Sequence, residues 1–425
     1  MAIGPIQLLK QASPGQRRTL LAASLGWMLD AFDAMLYALV LTYVMRDLGM
    51  SKATSGLLYT LTLLASGIGG VGFGFVADRI GRKRALMLSI LTYSVCSFAS
   101  GLSTTVLMLA VFRFILGLGM GGEWNTGATL VAETWPDHLR AKAISIVQSS
   151  WAIGYALAAL VAGVVLRYAN WRMVFFVGIL PAIVTLWIQN RVPESSMWLE
   201  HRRLADENQT PSPQTPQSTP GSQSFFIIFY PPYRKSTFVL LLLNFFGMFA
   251  WWGLFTWIPP YLSLPIEQGG RGFGTMGTTT LLITLNLLGM FPGYLSFGWI
   301  ADHLGRRKSF MIFTFAAAVM VPLYAMARSQ AMVLVLGAVV AYFGTGFFSG
   351  SGIIGSEIFP TSVRARALGF TYNSARTLSS IAPYVVGRVG QAKGLSWAFY
   401  LCGAAFFMAS LMATQLPETK GKSLE

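Results

Sequence analysis

One short stretch of sequence occurs twice in this chain. Residues 74–84 read GFVADRIGRKR, and residues 298–308 read GWIADHLGRRK. The second copy lies 224 residues after the first, and the same separation relates ETWPDHLRAKA at 133–143 to EIFPTSVRARA at 357–367. Two independent matches at one separation indicate an internal duplication, so we expect two related halves.

Apolar runs surround these repeats. The chain of 425 residues is 54% hydrophobic and only 11% charged, which is too apolar for a soluble domain of this length. About twelve runs of roughly 20 residues are each long enough, as a helix, to cross a hydrocarbon core of about 30 Å. Lipid offers the backbone no hydrogen-bond partner, so each run predicts a helix. The predicted spans are residues 20–44, 53–77, 85–102, 106–132, 142–166, 172–190, 236–261, 275–300, 309–327, 331–356, 366–390 and 395–416. We therefore predict an all-α polytopic membrane protein with 12 transmembrane helices in two pseudo-symmetric six-helix bundles.

The net charge of +15 does not indicate a nucleic-acid partner, because the basic residues lie in short runs between apolar stretches. Alternate connecting segments, counted from the N-terminus, hold 21 Lys and Arg residues against 8 in the other set. Positive charge is retained in the cytoplasm. We expect both termini and the central loop to be cytoplasmic, in a multi-pass protein of the bacterial inner membrane. The first apolar run is too long for a signal-peptide core, so we expect it to be retained.

The central loop divides the chain. Residues 209–223 are rich in Pro, Gln, Ser and Thr and predict a flexible linker. We assign 1–191 to the N-terminal bundle, 192–235 to the linker and 236–425 to the C-terminal bundle. The sequence has no nucleotide-binding Gly-x-x-x-x-Gly-Lys-Ser/Thr loop and no Cys/His cluster, so we expect no catalysis, metal or cofactor.

The repeated stretches resemble a known family. Residues 74–83 match the pattern Gly-x-x-x-Asp-Arg-x-Gly-Arg-Lys, and residues 113–123 read RFILGLGMGGE. On these residues the chain resembles the major facilitator superfamily over essentially its whole length. The motifs Pro193-Glu194-Ser195 and Pro-Glu-Thr-Lys-Gly at 417–421 are similar to sugar-porter boundary motifs, which porters for organic acids also carry.

A closer resemblance is to the bacterial sialic acid:proton symporters and their monocarboxylate-carrying relatives. It rests on GMGGEW at 119–124, on residues 133–143 and on LGFTYN at 368–373. The chain departs from the sialic acid carriers at Ser374-Ala375-Arg376, where they have small apolar residues, and it lacks their extra central helices. The resemblance therefore implies a proton-coupled carboxylate carrier but does not single out sialic acid.

Charged residues inside the membrane are costly and are functional candidates. Asp30, Asp33 and Glu123 lie well inside predicted spans, and the first two share a helix face because they are three residues apart. We predict that these carboxyls couple transport to protons, since all three histidines fall in predicted cytoplasmic loops: His138, His201 and His303.

Arg376 is the predicted anion anchor. Its planar, permanently charged guanidinium matches a carboxylate. If helix ends lie near Leu20, Glu133 and Arg366, then Asp30, Glu123 and Arg376 are each 10 residues inside, about 15 Å deep. The resemblance places the three helices that carry them around one central cavity. The alternative is a permanent ion pair of Arg376 with Glu123 or Asp30. Arg113, nearer the other face, either packs within its helix or steers substrate.

Polar and aromatic residues at similar depth complete the predicted substrate site. We assign Tyr37, Trp124, Asn125, Gln148, Tyr372 and Asn373 to it with Arg376. A wider set of candidates consists of Trp151, Tyr155, Asn244, Trp251, Trp252 and Asn286. For any single aromatic residue, helix packing is the simpler explanation.

A third group of charges predicts a gate at the cytoplasmic face. Asp78 and Asp302 should each lie near a helix N-terminus of the opposite half, where a negative charge is favourable. The predicted gating residues are Asp78, Arg82, Glu133, Arg140, Asp302, Arg306, Glu357 and Arg364.

These features predict a monomeric secondary transporter that takes up a small organic anion, such as a monocarboxylate or sialic acid, with protons by alternating access. Three alternatives remain. A sugar or drug porter of the same superfamily would bind its substrate without Arg376. An aromatic acid:proton symporter would share the carboxylate site. A receptor would need a soluble output domain, and the only large cytoplasmic segment is the low-complexity linker.

Overall fold

A computed structural model describes residues 12–196, 198–200, 203, 225–359 and 361–420. In this part of the chain the secondary structure is helical, and twelve segments, numbered α1–α12, follow the predicted spans. Their bounds are α1 Pro14–Asp47, α2 Lys52–Ile80, α3 Arg82–Gly101, α4 Val106–Thr134, α5 Asp137–Tyr168, α6 Trp171–Arg191, α7 Arg234–Ser263, α8 Thr275–Leu304, α9 Arg306–Met326, α10 Gln330–Ile358, α11 Thr361–Ser379 continued by Ala382–Lys393, and α12 Leu395–Thr414. The predicted all-α, twelve-helix fold is confirmed.

Ten segments are long and apolar enough to cross a membrane by those criteria alone. The other two are α3, which begins with the basic residues Arg82, Lys83 and Arg84, and α11, which is broken at residues 380–381. Both still pack inside a bundle, so their neighbours compensate for their lower apolarity.

Several helices extend beyond their apolar runs because polar residues cap them. Ser13 Oγ accepts a hydrogen bond of 3.2 Å from the backbone N–H of Gln16, and Gln16 Oε1 accepts one of 2.8 Å from the N–H of Ser13. This reciprocal cap starts α1 six residues before the predicted span. Ser51 and Thr105 cap α2 and α4 in the simpler way, each accepting one backbone N–H.

Three segments are irregular, which the apolar pattern did not predict. The α6 segment turns at residues 178–180, before Pro181, and α11 breaks shortly before Pro383. Proline has no N–H to continue the hydrogen-bond ladder, so a break beside it is expected. The α8 segment contains a π-helical turn at Leu285–Met290.

Small residues let helices approach closely within each half. A Cβ at Gly117 or Gly121 of α4 would overlap the backbone of α2 at Thr62 or Ser66. The glycine-rich stretch at 113–123 therefore serves helix packing, as small residues do in membrane bundles. Across the halves, α2 packs on α11, α5 on α8 and α1 on α7.

Among the described residues, hydrogen bonds join the two halves on one side of the membrane. We call the side where α1 begins and α12 ends the terminal face, and the other side the opposite face. The bonds between the halves among the described residues all lie between the middle of the membrane and the opposite face. They are Tyr43–Thr275 (3.2 Å), Lys52–Gln268 (2.9 Å), Ala53–Gln391 (3.3 Å), Thr60–Tyr384 (3.3 Å), Tyr155–Phe255 (3.3 Å) and Ala159–Thr279 (3.5 Å). The structure is therefore closed on the opposite face.

The end of the predicted linker packs on the C-terminal half. A short 3-10 helix, Phe225–Phe229, precedes α7, and the carbonyl of Ile228 accepts a 2.8 Å hydrogen bond from Thr237. The ring of Phe229 lies 5.0 Å from that of Phe370 in α11. The segment predicted to be flexible, 209–223, lies outside the described residues.

Candidate functional site

A small cavity lies between the two halves. The N-terminal half contributes α1 and α5, and the C-terminal half contributes α7, α8, α10 and α11. Seven of the ten lining residues are aromatic, and Arg376 supplies the single charge among them. The lining residues are Trp27, Gln148, Trp151, Met248, Trp251, Trp252, Tyr294, Phe348, Tyr372 and Arg376.

Arg376 is buried, with 6% of its surface exposed, and it borders this cavity. Among the described residues, no hydrogen bond from its guanidinium is found, and no carboxylate oxygen lies within 4.0 Å of it. A permanent ion pair of Arg376 with Asp30 or Glu123 is therefore not present in this structure. A buried cation without a bonded anion is costly, so the position favours an anionic ligand.

Two buried carboxyls lie beside Arg376. Asp30 of α1 and Glu123 of α4 are 0% and 1% exposed, and the charge of Arg376 acts on both of them. Neither carboxylate oxygen of Asp30 has a hydrogen-bond partner, and Oε2 of Glu123 has none. Gly26 gives Glu123 its space, because a Cβ there would overlap Oε1. The structure thus brings together the three charges that the depth estimate grouped, although only Arg376 borders the cavity.

Asp33 belongs to a second charged cluster inside the N-terminal half. Its Oδ1 accepts a 2.8 Å hydrogen bond from Ser97 of α3, and its Oδ2 has no partner. The charge of Arg113 acts on Asp33, and Arg113 itself is 0% exposed with none of its three nitrogens hydrogen-bonded. The guanidinium carbon lies 5.0 Å from the ring centre of Tyr37, where the cation meets the ring's negative face.

Tyr37 does not border the cavity, contrary to expectation. It lies about two turns beyond Asp30 on α1, is 0% exposed and donates a 3.1 Å hydrogen bond to the carbonyl of Ser55. Similar depth placed it in the predicted site, but its side chain points toward α2. Depth is set by sequence position, whereas direction depends on how the helices pack.

Of the other residues predicted for the substrate site, some border the cavity and some do not. Gln148 and Tyr372 border the cavity, one from each half. Trp124 does not border the cavity but packs against Trp27, which does, with their ring centres 4.5 Å apart. Asn373 is half-buried and is not among the lining residues. The side chain of Asn125 lies outside the described residues.

Sequence reasoning missed four lining residues: Trp27, Met248, Tyr294 and Phe348. A signal existed for Trp27, which lies three residues before Asp30 and so on the same face of α1. In the wider set, Trp151, Trp251 and Trp252 do border the cavity, with Trp151 at 5.9 Å from both of the others.

The predicted gating charges form two matching clusters at the terminal face. Arg82 binds Asp78 at 2.7 Å and Glu133 at 3.1 Å, and Arg306 binds Asp302 at 2.9 Å and Glu357 at 2.8 Å. Each Asp pairs with an Arg of its own half, whereas we had expected it to lie near a helix N-terminus of the opposite half. In this structure the halves are joined on the other side of the membrane. Arg140 is half-buried, and the side chain of Arg364 lies outside the described residues.

The boundary motifs complete these clusters, which the sequence had not indicated. Glu194 accepts the backbone N–H of Lys83 at 3.1 Å, and Glu418, again 224 residues later, accepts that of Arg306 at 2.9 Å. Each carboxylate thus caps the helix that begins after Gly81 or Gly305. A carboxylate at a helix N-terminus is favourable, so these motifs have a structural role.

Comparison with known proteins agrees with this architecture. The model of the Major Facilitator Superfamily matches residues 23–269 and 263–424. The chain is 31% identical over 424 residues to a probable 4-methylmuconolactone transporter of Cupriavidus pinatubonensis, covering 98% of this chain and 94% of the relative. It is 31% identical over 404 residues to a sialic acid transporter of Escherichia coli, covering 93% of each.

Among solved structures, the xylose transporter of Escherichia coli in a partially occluded inward open conformation matches with a TM-score of 0.76. The identity is 18%, and the match covers 97% of this chain and 100% of that one. The predicted resemblance is confirmed, and the relatives are named as transporters and not as enzymes. With its duplicated halves, its central cavity and the match over both halves, the chain belongs to the Major Facilitator Superfamily.

Proposed function

We propose that this protein is a secondary active transporter that moves a small organic anion, a carboxylate, together with at least one proton by alternating access. The observation that carries the proposal is the position of Arg376. This permanently charged, buried side chain borders the cavity between the halves, and no described residue forms a hydrogen bond or ion pair with its guanidinium. Relatives named for a lactone and for sialic acid support a small, oxygen-bearing organic substrate.

Asp30 and Glu123 supply the proton coupling in this mechanism. A neighbouring Arg favours the ionised form of a carboxyl, and burial disfavours it. When a substrate carboxylate neutralises Arg376, that support for the ionised form is lost, and a proton binds to one of the two carboxyls. Substrate and proton then cross together. Asp33, near Arg113 and away from the cavity, is a second candidate for the proton.

The rocking of the two halves supplies alternating access. The hydrogen bonds between Lys52 and Gln268 and between Thr60 and Tyr384 close the opposite face and must break when the site opens there. The excess of Lys and Arg at the terminal face supports a cytoplasmic location for that face. The structure then represents the state closed to the outside.

The sugar-porter alternative loses its support from the boundary motifs. Glu194 and Glu418 cap helices far from the cavity, a role that is independent of the substrate. A sugar also gives no reason for an unpaired guanidinium in the binding cavity, because it carries no charge. The position of Arg376 therefore favours the carboxylate.

Uptake into proteoliposomes tests the proposal. Lactate, sialic acid, benzoate and glucose are supplied with and without an inward proton gradient, and counterflow is measured for each. The proteins are wild type, Arg376→Ala, Asp30→Asn, Glu123→Gln and, as a matched control, Arg388→Ala, which removes an exposed Arg from the same segment, α11.

We expect a proton gradient to drive uptake of at least one acid by wild type and by Arg388→Ala. Arg376→Ala should lose both uptake and counterflow, because the anion anchor is gone. Asp30→Asn or Glu123→Gln should lose gradient-driven uptake and keep counterflow. Glucose uptake that is unaffected by Arg376→Ala would overturn the proposal in favour of a sugar porter.

A further inference from the structure

Three tryptophans of the cavity have indole N–H groups without an acceptor. The buried Nε1 atoms of Trp27, Trp151 and Trp251 make no hydrogen bond. Four tryptophans elsewhere in the described chain do have acceptors: Trp135 donates to Gln16, Trp171 to Asp47, Trp198 to Asp78 and Trp257 to Pro383. An unmet buried donor is costly, so three of them around one cavity point to acceptors on a ligand.

The cavity as a whole offers many donors and few acceptors. Indole N–H groups and the guanidinium of Arg376 only donate hydrogen bonds. The acceptors on the lining side chains are the amide oxygen of Gln148, two tyrosine hydroxyls and the weak thioether of Met248. A ligand rich in hydroxyl donors would therefore leave several of its own groups unsatisfied.

The charges around the cavity fit one carboxylate. Arg376 is the single cation among the lining residues, and the carboxyls of Asp30 and Glu123 lie near it. A second carboxylate on the ligand would meet no second cation, and its desolvation would not be offset.

The shape of the lining fits a flat group. The ring of Trp151 stands nearly perpendicular to that of Trp252, at 87° and 5.9 Å, and Trp251 stands at 89° and 5.6 Å to Phe348. Such edge-to-face walls present both ring faces and ring edges, against which another π-system packs favourably.

On the basis of the proposed function, we infer that the substrate is a planar, aromatic or conjugated monocarboxylate that also carries an uncharged hydrogen-bond acceptor. Arg376 holds the carboxylate. The indole N–H groups of Trp27, Trp151 and Trp251 form a second subsite for a carbonyl, an ester or a ring nitrogen. They act as specificity-determining donors and select against polyhydroxy acids and dicarboxylates.

The inference is tested with matched ligands. Isothermal titration calorimetry measures the affinity of the full-length protein in detergent for each ligand. The pair 4-acetylbenzoate and 4-isopropylbenzoate have similar size and differ in one carbonyl acceptor. Cyclohexanecarboxylate tests planarity against benzoate, terephthalate adds a second charge, and gluconate adds hydroxyl donors. We expect 4-acetylbenzoate to bind most tightly of the series.

The variants Trp27→Phe, Trp151→Phe and Trp251→Phe keep an aromatic ring and remove the N–H. At least one variant should weaken 4-acetylbenzoate binding by about 2- to 10-fold, which corresponds to the loss of one hydrogen bond. The same variant should change the affinity for 4-isopropylbenzoate by less than about 2-fold. Trp397→Phe, in which a 60% exposed ring on α12 is replaced, is the matched control and should change neither.

Equal weakening of both ligands in all three variants would overturn the subsite, because it would show loss of packing alone. Tighter binding of gluconate, terephthalate or cyclohexanecarboxylate than of the aromatic monocarboxylates would overturn the ligand class. Proton-driven uptake of a polyhydroxy acid would overturn the inference and leave the proposed symport intact. Unchanged acid binding in Arg376→Ala would instead contradict the proposed function, whatever the Trp variants do. Binding of no carboxylate in the series would overturn both.

Discussion

Nη2 of Arg82 lies 3.1 Å from Oε1 of Glu133, and this contact joins the start of α3 to the end of α4 within one half. Both side chains are only 16% exposed. The contact between Arg306 and Glu357, at 2.8 Å, repeats it in the other half with 14% and 12% exposure. Because little water reaches these ion pairs, each should add more to the free energy of unfolding than an ordinary surface ion pair does.

Glu133→Gln should therefore destabilise the N-terminal half. We expect the free energy of unfolding to fall by about 1.5–3 kcal/mol, the usual contribution of a hydrogen bond to a charged group. Denaturant unfolding in detergent measures it. The control is Glu200→Gln, which breaks a pair with Arg203 at 3.5 Å whose side chains are 56% and 66% exposed, and it should have little effect. Equal effects of the two variants would contradict the assignment.

Glu418 makes the stability of the C-terminal half depend on pH. Burial alone would raise the pKa of Glu418, but hydrogen bonds from the backbone N–H groups of Lys420, Arg306 and Thr419 outweigh burial and lower the pKa from its ordinary value of 4.5. A lowered pKa means that the stabilisation is fully present above pH 4.5 and is lost as the pH falls through the folded-state value.

The melting temperature of wild type should thus exceed that of Glu418→Gln at pH 7, and the difference should shrink as the pH drops below about 4.5. Melting curves on purified protein between about pH 3.5 and 7 measure this difference. Glu267→Gln, an exposed carboxylate at the opposite face, serves as the control. A difference that stays constant across the range would refute the capping role.

Gly26 provides the space in which the carboxylate of Glu123 lies. A Cβ at Gly26 would overlap Oε1 of Glu123, whereas a Cβ at Gly127 would be at an ordinary 3.5 Å from the same atom. Gly26→Ala should therefore displace Glu123 and reduce proton-driven uptake by at least about 10-fold, the range lost when a positioned proton-transfer group is disturbed. Gly127→Ala should transport almost like wild type. The two rates are compared in proteoliposomes at matched protein content, and similar rates would show that the position of Glu123 is unimportant.

Lys52 fastens the opposite face by donating a 2.9 Å hydrogen bond to the carbonyl of Gln268 in the other half. Lys52→Met keeps the length of the side chain and removes the ammonium group. We expect the population open on that face to rise about 2- to 5-fold, which corresponds to the loss of a partly exposed charged contact. Electron spin resonance distances between labels at the opposite-face ends of α2 and α8 report the population.

Lys393→Met removes an exposed Lys near the same face and should leave the distance distribution unchanged. If Lys52→Met also leaves it unchanged, the closed state does not depend on this contact.

Much of the fold followed from the sequence because crossing a membrane is a local property of a stretch of chain. The apolar runs gave spans within a few residues of the helices, and the main differences arose at polar caps such as Ser13. The helix breaks before Pro181 and Pro383 were not predicted, because hydropathy does not show where the hydrogen bonds of a helix backbone are interrupted.

The site was only partly predictable. The charges were identifiable because an ionised group inside a membrane is rare, and this property selected Asp30, Glu123 and Arg376. The aromatic lining was less visible, because a Trp or Tyr is an ordinary residue in any packed helix. Trp27 and Tyr37 lie on the same helix, ten residues or about 15 Å apart, and only Trp27 borders the cavity.

The sequence by itself thus determined the twelve spans, the duplication and the identity of the buried charges, since each depends on composition or on repeated spacing. Only the tertiary structure decided which side chains meet. It placed Asp33 with Ser97 and Asp78 with Arg82, left Arg376 without a hydrogen-bonded partner among the described residues, and grouped three indole donors around one cavity. The reason is physical: the rotation of each helix about its own axis is set by packing against its neighbours, and the chain's linear order does not contain it.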